Sequence, residues 1–146
     1  MQGRPIGKGS WVHFSGEIIS GKGEGSSFVQ LPWVREQIVN KIGFAPYPGT
    51  FNIKISDDAG REAAEKMRRS APRAITIIPP GGSGCYGSCF VAKIEEKVDA
   101  AVIIPSEGGY VDVLEFLAPM LVKNLLRHSD GDRVEVRVYI PEAGEQ

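Results

Sequence analysis

The chain is poor in the residues that staple, anchor or coordinate. It holds two cysteines and two histidines in 146 residues. Two cysteines make no disulfide framework. Cys85 and Cys89, four apart in CYGSC, would stand about 13 Å apart on a regular strand, too far to share a bridge or a metal. They read as packed thiols. His13 and His128 are distant in sequence, show no ligand spacing, and read as structural or exposed. There is no basic excess. The formal net charge is −1, which speaks against a general nucleic-acid binder. No apolar run approaches the length that spans a bilayer, and the start MQGRPIGKGS lacks an apolar signal core. A cytoplasmic protein without a membrane partner is therefore expected, and a monomer. The nucleophile elbow G-x-S-x-G is missing, as are internal repeats and low-complexity tracts.

What is present is an ordinary globular composition, with 42% apolar and 24% charged residues. The length favours one domain over 1–146, with fraying ends at about 1–9 and 142–146. Eighteen glycines and ten prolines cluster between short apolar runs. That pattern predicts short elements joined by tight turns, a mainly β or α+β architecture. Strands are expected over Trp11–Ile19, around Phe28–Leu31, in TFNIKI, AITIIP, CFVAKI and AAVIIP, in VDVLEFL up to Leu117, and in RVEVRVYI after the DGD turn at 130–132. Pro32 opens a helix that ends before Gly43, with Val34, Ile38 and Ile42 on its buried face. DDAGREAAEKMRRS is a second helix, capped by Asp57 or Asp58, with its KMRR end in solvent. Pro119 opens a third, PMLVKNLLRH. The sum is a closed barrel of six or more strands with two or three helices outside it.

Four stretches can carry chemistry. SGKGEGSSF, Ser20–Phe28, alternates glycine with Lys22 and Glu24. It is not a Walker loop, because no Lys-Ser/Thr pair follows at the required spacing. Its backbone N–H groups can still line an anion pocket; the other reading is a flexible hairpin. In PGTFN, a strand beginning at Thr50 puts Thr50 and Asn52 on one face. Two neutral oxygens there can hold Mg2+ once phosphate supplies the negative charge, or they simply cap the turn. Glu115 shares a strand face with Val113 and Leu117. A carboxylate so placed orients or deprotonates a hydroxyl, or faces water at an edge. Met120, Leu121, Val122 and Lys123 would open a helix and offer N–H groups to an anion, or form an ordinary helix start.

The order SGKGEGSSFVQL, IGFAPYPGTFNIKI, AAVIIP, LEFLAPMLVKNLL, DGDRVEVRV resembles the archaeal-type CTP-dependent riboflavin kinases, a family built on a compact, six-stranded cradle-loop β-barrel. The resemblance runs from about Gly16 to Tyr139 and is most specific in G-x-G-E-G and G-F-x-P-Y-x-G-T-x-N. It implies that Lys22, Gly23, Glu24, Gly25, Ser26 and Ser27 hold the cytidine nucleotide, completed by Met120–Lys123. It implies Mg2+ on Thr50 and Asn52, and riboflavin against Glu115. The chemistry implied is phosphoryl transfer from CTP to a primary hydroxyl, with FMN and CDP as products. The chain departs from the family at Ser26, at Lys123, at GGSGCYGSCF, and at SEGGY, where Gly109 or Gly108 stands at the flavin-contacting position. Two other classes fit the same motifs: a CTP-dependent kinase of another small alcohol, and a non-catalytic nucleotide- or flavin-binding barrel that senses its ligand.

Overall fold

Period-two alternation of apolar and polar residues becomes seven antiparallel strands in a computed structural model that describes residues 8–19, 29–81, 86–106 and 112–142. They are β1 (Gly9–Ile19), β2 (Phe51–Lys54), β3 (Ile75–Ile77), β4 (Gly87–Ile94), β5 (Val98–Pro105), β6 (Val113–Leu117) and β7 (Arg133–Pro141). Six of them run in the order β4-β5-β6-β2-β1-β7, and β7 pairs back onto β4. This is the mainly β, six-stranded closed barrel that was expected. β3 branches from the ring. It takes Gly87–Cys89 of β4, while β7 takes Ala92–Ile94 of the same strand.

Closure sends one face of every strand inward. Phe14 and Ile18, Phe51 and Ile53, Leu114 and Phe116, Val102 and Phe90, and Val134, Val136, Val138 and Ile140 fill the interior. Full burial of each such side chain is worth about 1.5–3 kcal/mol. The strands β1 and β2 approach closely at Gly16, where a Cβ would collide with Ile53 Cγ2 and come 2.8 Å from the Lys54 carbonyl oxygen.

Three helices surround the ring: α1 (Pro32–Lys41), α2 (Asp58–Arg69) and α3 (Val122–Leu126). α2 buries Ala63, Ala64 and Met67 in the same interior cluster, and Gly60 is buried beside them. Asp57 caps it, its Oδ1 accepting from the Gly60 N–H at 2.9 Å. Arg68 and Arg69 are exposed at its far end, as expected, whereas Met67 between them and Ala64 points inward. α1 lies on the outer face and buries Val34, Ile38 and, just past its end, Ile42 against Ile77, Cys89, Ala101, Ile103 and Leu117. It also covers the free edge of β3. Gln37 accepts from the Ile78 N–H and donates to its carbonyl, both at 2.8 Å, and Lys41 donates to the Thr76 carbonyl at 2.7 Å. An edge strand so capped has fewer open groups for another chain to pair with.

Three expectations need correction. Val29 and Gln30 are helical rather than extended, and Phe28 lies outside the described residues. Val29 joins the α1 side of the outer core. Leu31 then turns extended, ψ 128°, as the residue before a proline prefers. Second, α3 begins at Val122, not at Pro119. Leu121 is its extended N-cap, and the helix ends at Arg127 with φ 58°. The Ala118 carbonyl accepts from the Tyr47 N–H at 2.7 Å, which carries the chain past β6 without turning into a helix. Third, Lys8, Gly9 and Glu142 had been counted with the fraying ends. Gly9 pairs with Pro141 in the barrel, and the Glu142 N–H donates to the Lys8 carbonyl at 3.1 Å.

Replacing Asp57 with Ala removes the α2 cap and should lower stability by about 1 kcal/mol. Asp57→Asn should retain most of it, since the amide oxygen accepts the same bond. Urea denaturation of the two variants checks this. Equal losses in both would assign the effect to the Asp57 charge, 3.7 Å from Arg133, and not to the cap.

Candidate functional site

β2 is short, yet it is paired on both sides. Asn52 stands opposite Ile19 of β1 and opposite Glu115 of β6. Glu115 in turn stands opposite Ile103 of β5. Since Phe51 and Ile53 point inward, Asn52 points out, and Ile19, Asn52, Glu115 and Ile103 form one transverse row on the outer face. Glu115 is half-buried. It is the direct cross-strand neighbour of Asn52, with Cβ atoms expected about 4.5–5.5 Å apart.

Asn52 is 6% exposed, one of few buried polar residues among those described. A buried amide must be engaged. The Thr50 hydroxyl donates to Asn52 Oδ1 at 3.5 Å, the outer limit of such a bond. Two oxygens in neighbouring positions around a magnesium ion, each about 2.1 Å from it, stand roughly 3 Å apart. A small rotation of either side chain meets that spacing. The pair is hard, neutral and convergent, so these residues fit Mg2+ completed by anionic oxygens. Among the described residues no cluster of three or more His, Cys, Asp or Glu is arranged to hold a metal.

Thr50 and Asn52 open into a pocket of about 160 Å³. That is room for part of a nucleotide and not for all of it. Its second wall is Met120, Leu121, Val122 and Lys123, the segment that the sequence singled out. Val122 is buried and fixes this wall to the barrel interior. Lys123 Nζ sits 3.0 Å from Asp130 Oδ1, with both side chains partly exposed. The turn carrying Asp130 is itself tied to β1: the Gly131 N–H donates to Ile18 and the Ile18 N–H to Asp132, each at 2.8 Å. Gly131 has φ 95°, which glycine tolerates best.

The barrel therefore brings together Thr50, Asn52 and Met120–Lys123. It puts Glu115 beside Asn52 but outside the pocket lining. Lys22, Gly23, Glu24, Gly25, Ser26 and Ser27 lie outside the described residues, as do Gly109 and Cys85. Ile19, the last described residue before the glycine loop, lines the pocket. Cys89 is a buried thiol in the outer core. His13 is exposed, and His128 lies 3.5 Å from Asp132 and 4.0 Å from Glu95. No described helix is long and apolar enough to cross a membrane. Sequence reasoning missed Tyr47, which lines the pocket between Pro46 and Pro48. The only signal was the rigidity of its two prolines. It also missed Asp130, which meets Lys123 from the turn beyond α3.

A family model for CTP-dependent riboflavin kinases, described as Domain of unknown function DUF120, matches residues 18–138. The chain is similar to the riboflavin kinase of Pyrobaculum islandicum, 36% identical over 88% of this chain and 61% of that protein. It is 37% identical to the riboflavin kinase of Pyrobaculum calidifontis over the same shares. To the riboflavin kinase of Methanosarcina acetivorans it is 30% identical, over 87% of this chain and 54% of the other. The match thus covers only about half to three fifths of the length of these relatives.

The Lys123–Asp130 pair is largely solvated, so Lys123→Ala should change stability by less than about 1 kcal/mol. The same variant should bind inorganic triphosphate more weakly, since it removes a positive charge from a residue that lines the pocket. Denaturant midpoints and equilibrium binding separate the two effects. Unchanged triphosphate affinity would remove Lys123 from the site.

Proposed function

The chain belongs to the CTP-dependent riboflavin kinase family, and on that premise we propose that it transfers the terminal phosphoryl group of CTP to the primary hydroxyl of riboflavin. FMN and CDP are the products. The observation that carries this reading is the single pocket lined by Thr50 and Asn52 on one side and Met120–Lys123 on the other, with Glu115 in register beside Asn52.

Each residue then has a task. Met120–Lys123 bind the donor, with the Lys123 ammonium against its phosphates. Lys22–Ser27 hold the cytidine nucleotide with them. Thr50 and Asn52 hold Mg2+, which when bound supplies positive charge to the phosphate oxygens of the donor. Glu115 meets the acceptor. Its carboxylate orients the ribityl hydroxyl and accepts its proton as the new O–P bond forms and the bond to CDP breaks. Phosphoryl transfer asks for positioning and charge stabilisation more than covalent chemistry. Two neutral oxygens, a lysine and one carboxylate suffice for that.

Purified protein given Mg2+, riboflavin and either CTP or ATP should form FMN with CTP and little with ATP. CDP released without FMN would move the acceptor to another small alcohol, and nucleotide binding without turnover would make the barrel a sensor. Asn52→Ala should lower kcat by on the order of 100-fold, as loss of one electrostatic stabiliser does, with the circular dichroism spectrum unchanged. Full activity in that variant would remove the metal assignment.

A further inference from the structure

We infer that Tyr47 is the stacking surface for the pyrimidine ring of the donor nucleotide. The inference rests on the functional reading above and deepens it. Tyr47 is 38% exposed, and it belongs to neither hydrophobic cluster of the fold.

Its backbone is nonetheless held on every side. The Tyr47 N–H donates to Ala118, and its carbonyl accepts from the Gly49 N–H, each at 2.7 Å. The preceding Pro46 carbonyl accepts from Arg35 Nη1 at 2.9 Å. Prolines at 46 and 48 restrict φ on both flanks. Gly49 lies alongside the ring, close enough that a Cβ there would come 3.5 Å from Tyr47 Cε2. An exposed ring on a rigid mount is pre-organised for contact. A planar ligand that stacks on it orders little that was free before.

The surroundings say which planar ligand. Tyr47 lines the same pocket as Thr50, Asn52 and Lys123, the groups suited to a metal–polyphosphate. Met120 and Leu121 line it too, 37% and 36% exposed, so apolar surface is available beside the polar end. Glu115, the group that meets the acceptor, is not among the lining residues. The ring therefore belongs with the donor base and not with the flavin.

The test is equilibrium binding of CTP and of inorganic tripolyphosphate, with Mg2+, to the wild-type chain, Tyr47→Ala and Tyr47→Phe. Base stacking on an aromatic side chain predicts that Tyr47→Ala weakens CTP binding by about 5- to 100-fold. Tripolyphosphate, which has no base, should bind unchanged, and Tyr47→Phe should match wild type. In turnover, the KM for CTP should rise in Tyr47→Ala and that for riboflavin should not. Four results overturn the inference: unchanged CTP affinity in Tyr47→Ala, equal weakening of CTP and tripolyphosphate, equal losses in the Phe and Ala variants, or a rise confined to the riboflavin KM. A wild-type chain that binds no CTP removes the functional reading and the inference together. Wild-type turnover with Tyr47→Ala unaffected removes the inference alone.

Discussion

A closed ring of antiparallel strands has to be filled from within, and this requirement assigns every side chain on it. Because β7 returns to β4, no strand of the ring can slip by one residue without turning its apolar set outward. Phe51 and Ile53 must face in, so Asn52 between them must face out. Leu114 and Phe116 must face in, so Glu115 must face out. The two polar residues of the outer row are adjacent because their neighbours are needed for the core. The chemistry occupies positions that packing leaves over.

The same economy shows where β2 begins. Thr50 and the Pro46–Gly49 turn sit at the mouth of the ring, joined to the end of β6 by the bond between Tyr47 and Ala118 and to α1 by Arg35. The pocket opens where two strand ends and a short helix meet. Its polar end is neutral but for Lys123, itself beside Asp130. A site of this kind has little intrinsic attraction for a bare cation. It suits a cation that arrives with phosphate oxygens, and this matches a chain whose net charge is near zero.

Much of the architecture was legible in the residues. RVEVRVYI alternates with the pleat and its burial follows that alternation, and the apolar run CFVAKI became part of the core strand β4. Pro32 and Gly43 bracket α1, and Asp57 caps α2, because these residues act through local geometry that a few neighbours complete. The misreadings came where a distant contact overrode a local preference. Val29 left strand geometry to pack against the α1 side of the outer core. Pro119 did not start a helix; the neighbouring Ala118 carbonyl accepts from Tyr47, some seventy residues upstream.

The candidate site divides in the same way. Thr50, just before β2, and Asn52 within it are two apart on extended chain and so share a face, since the side-chain period is two. Glycines and prolines between short apolar runs dictated a barrel-like chain with tight turns. That Asn52 lies beside Glu115, that Met120–Lys123 form the opposite wall, and that Tyr47 stands over the same opening, are matters of tertiary structure alone. They depend on which strands pair and on where the ring closes. Those pairings join residues more than sixty positions apart, beyond the reach of any local rule.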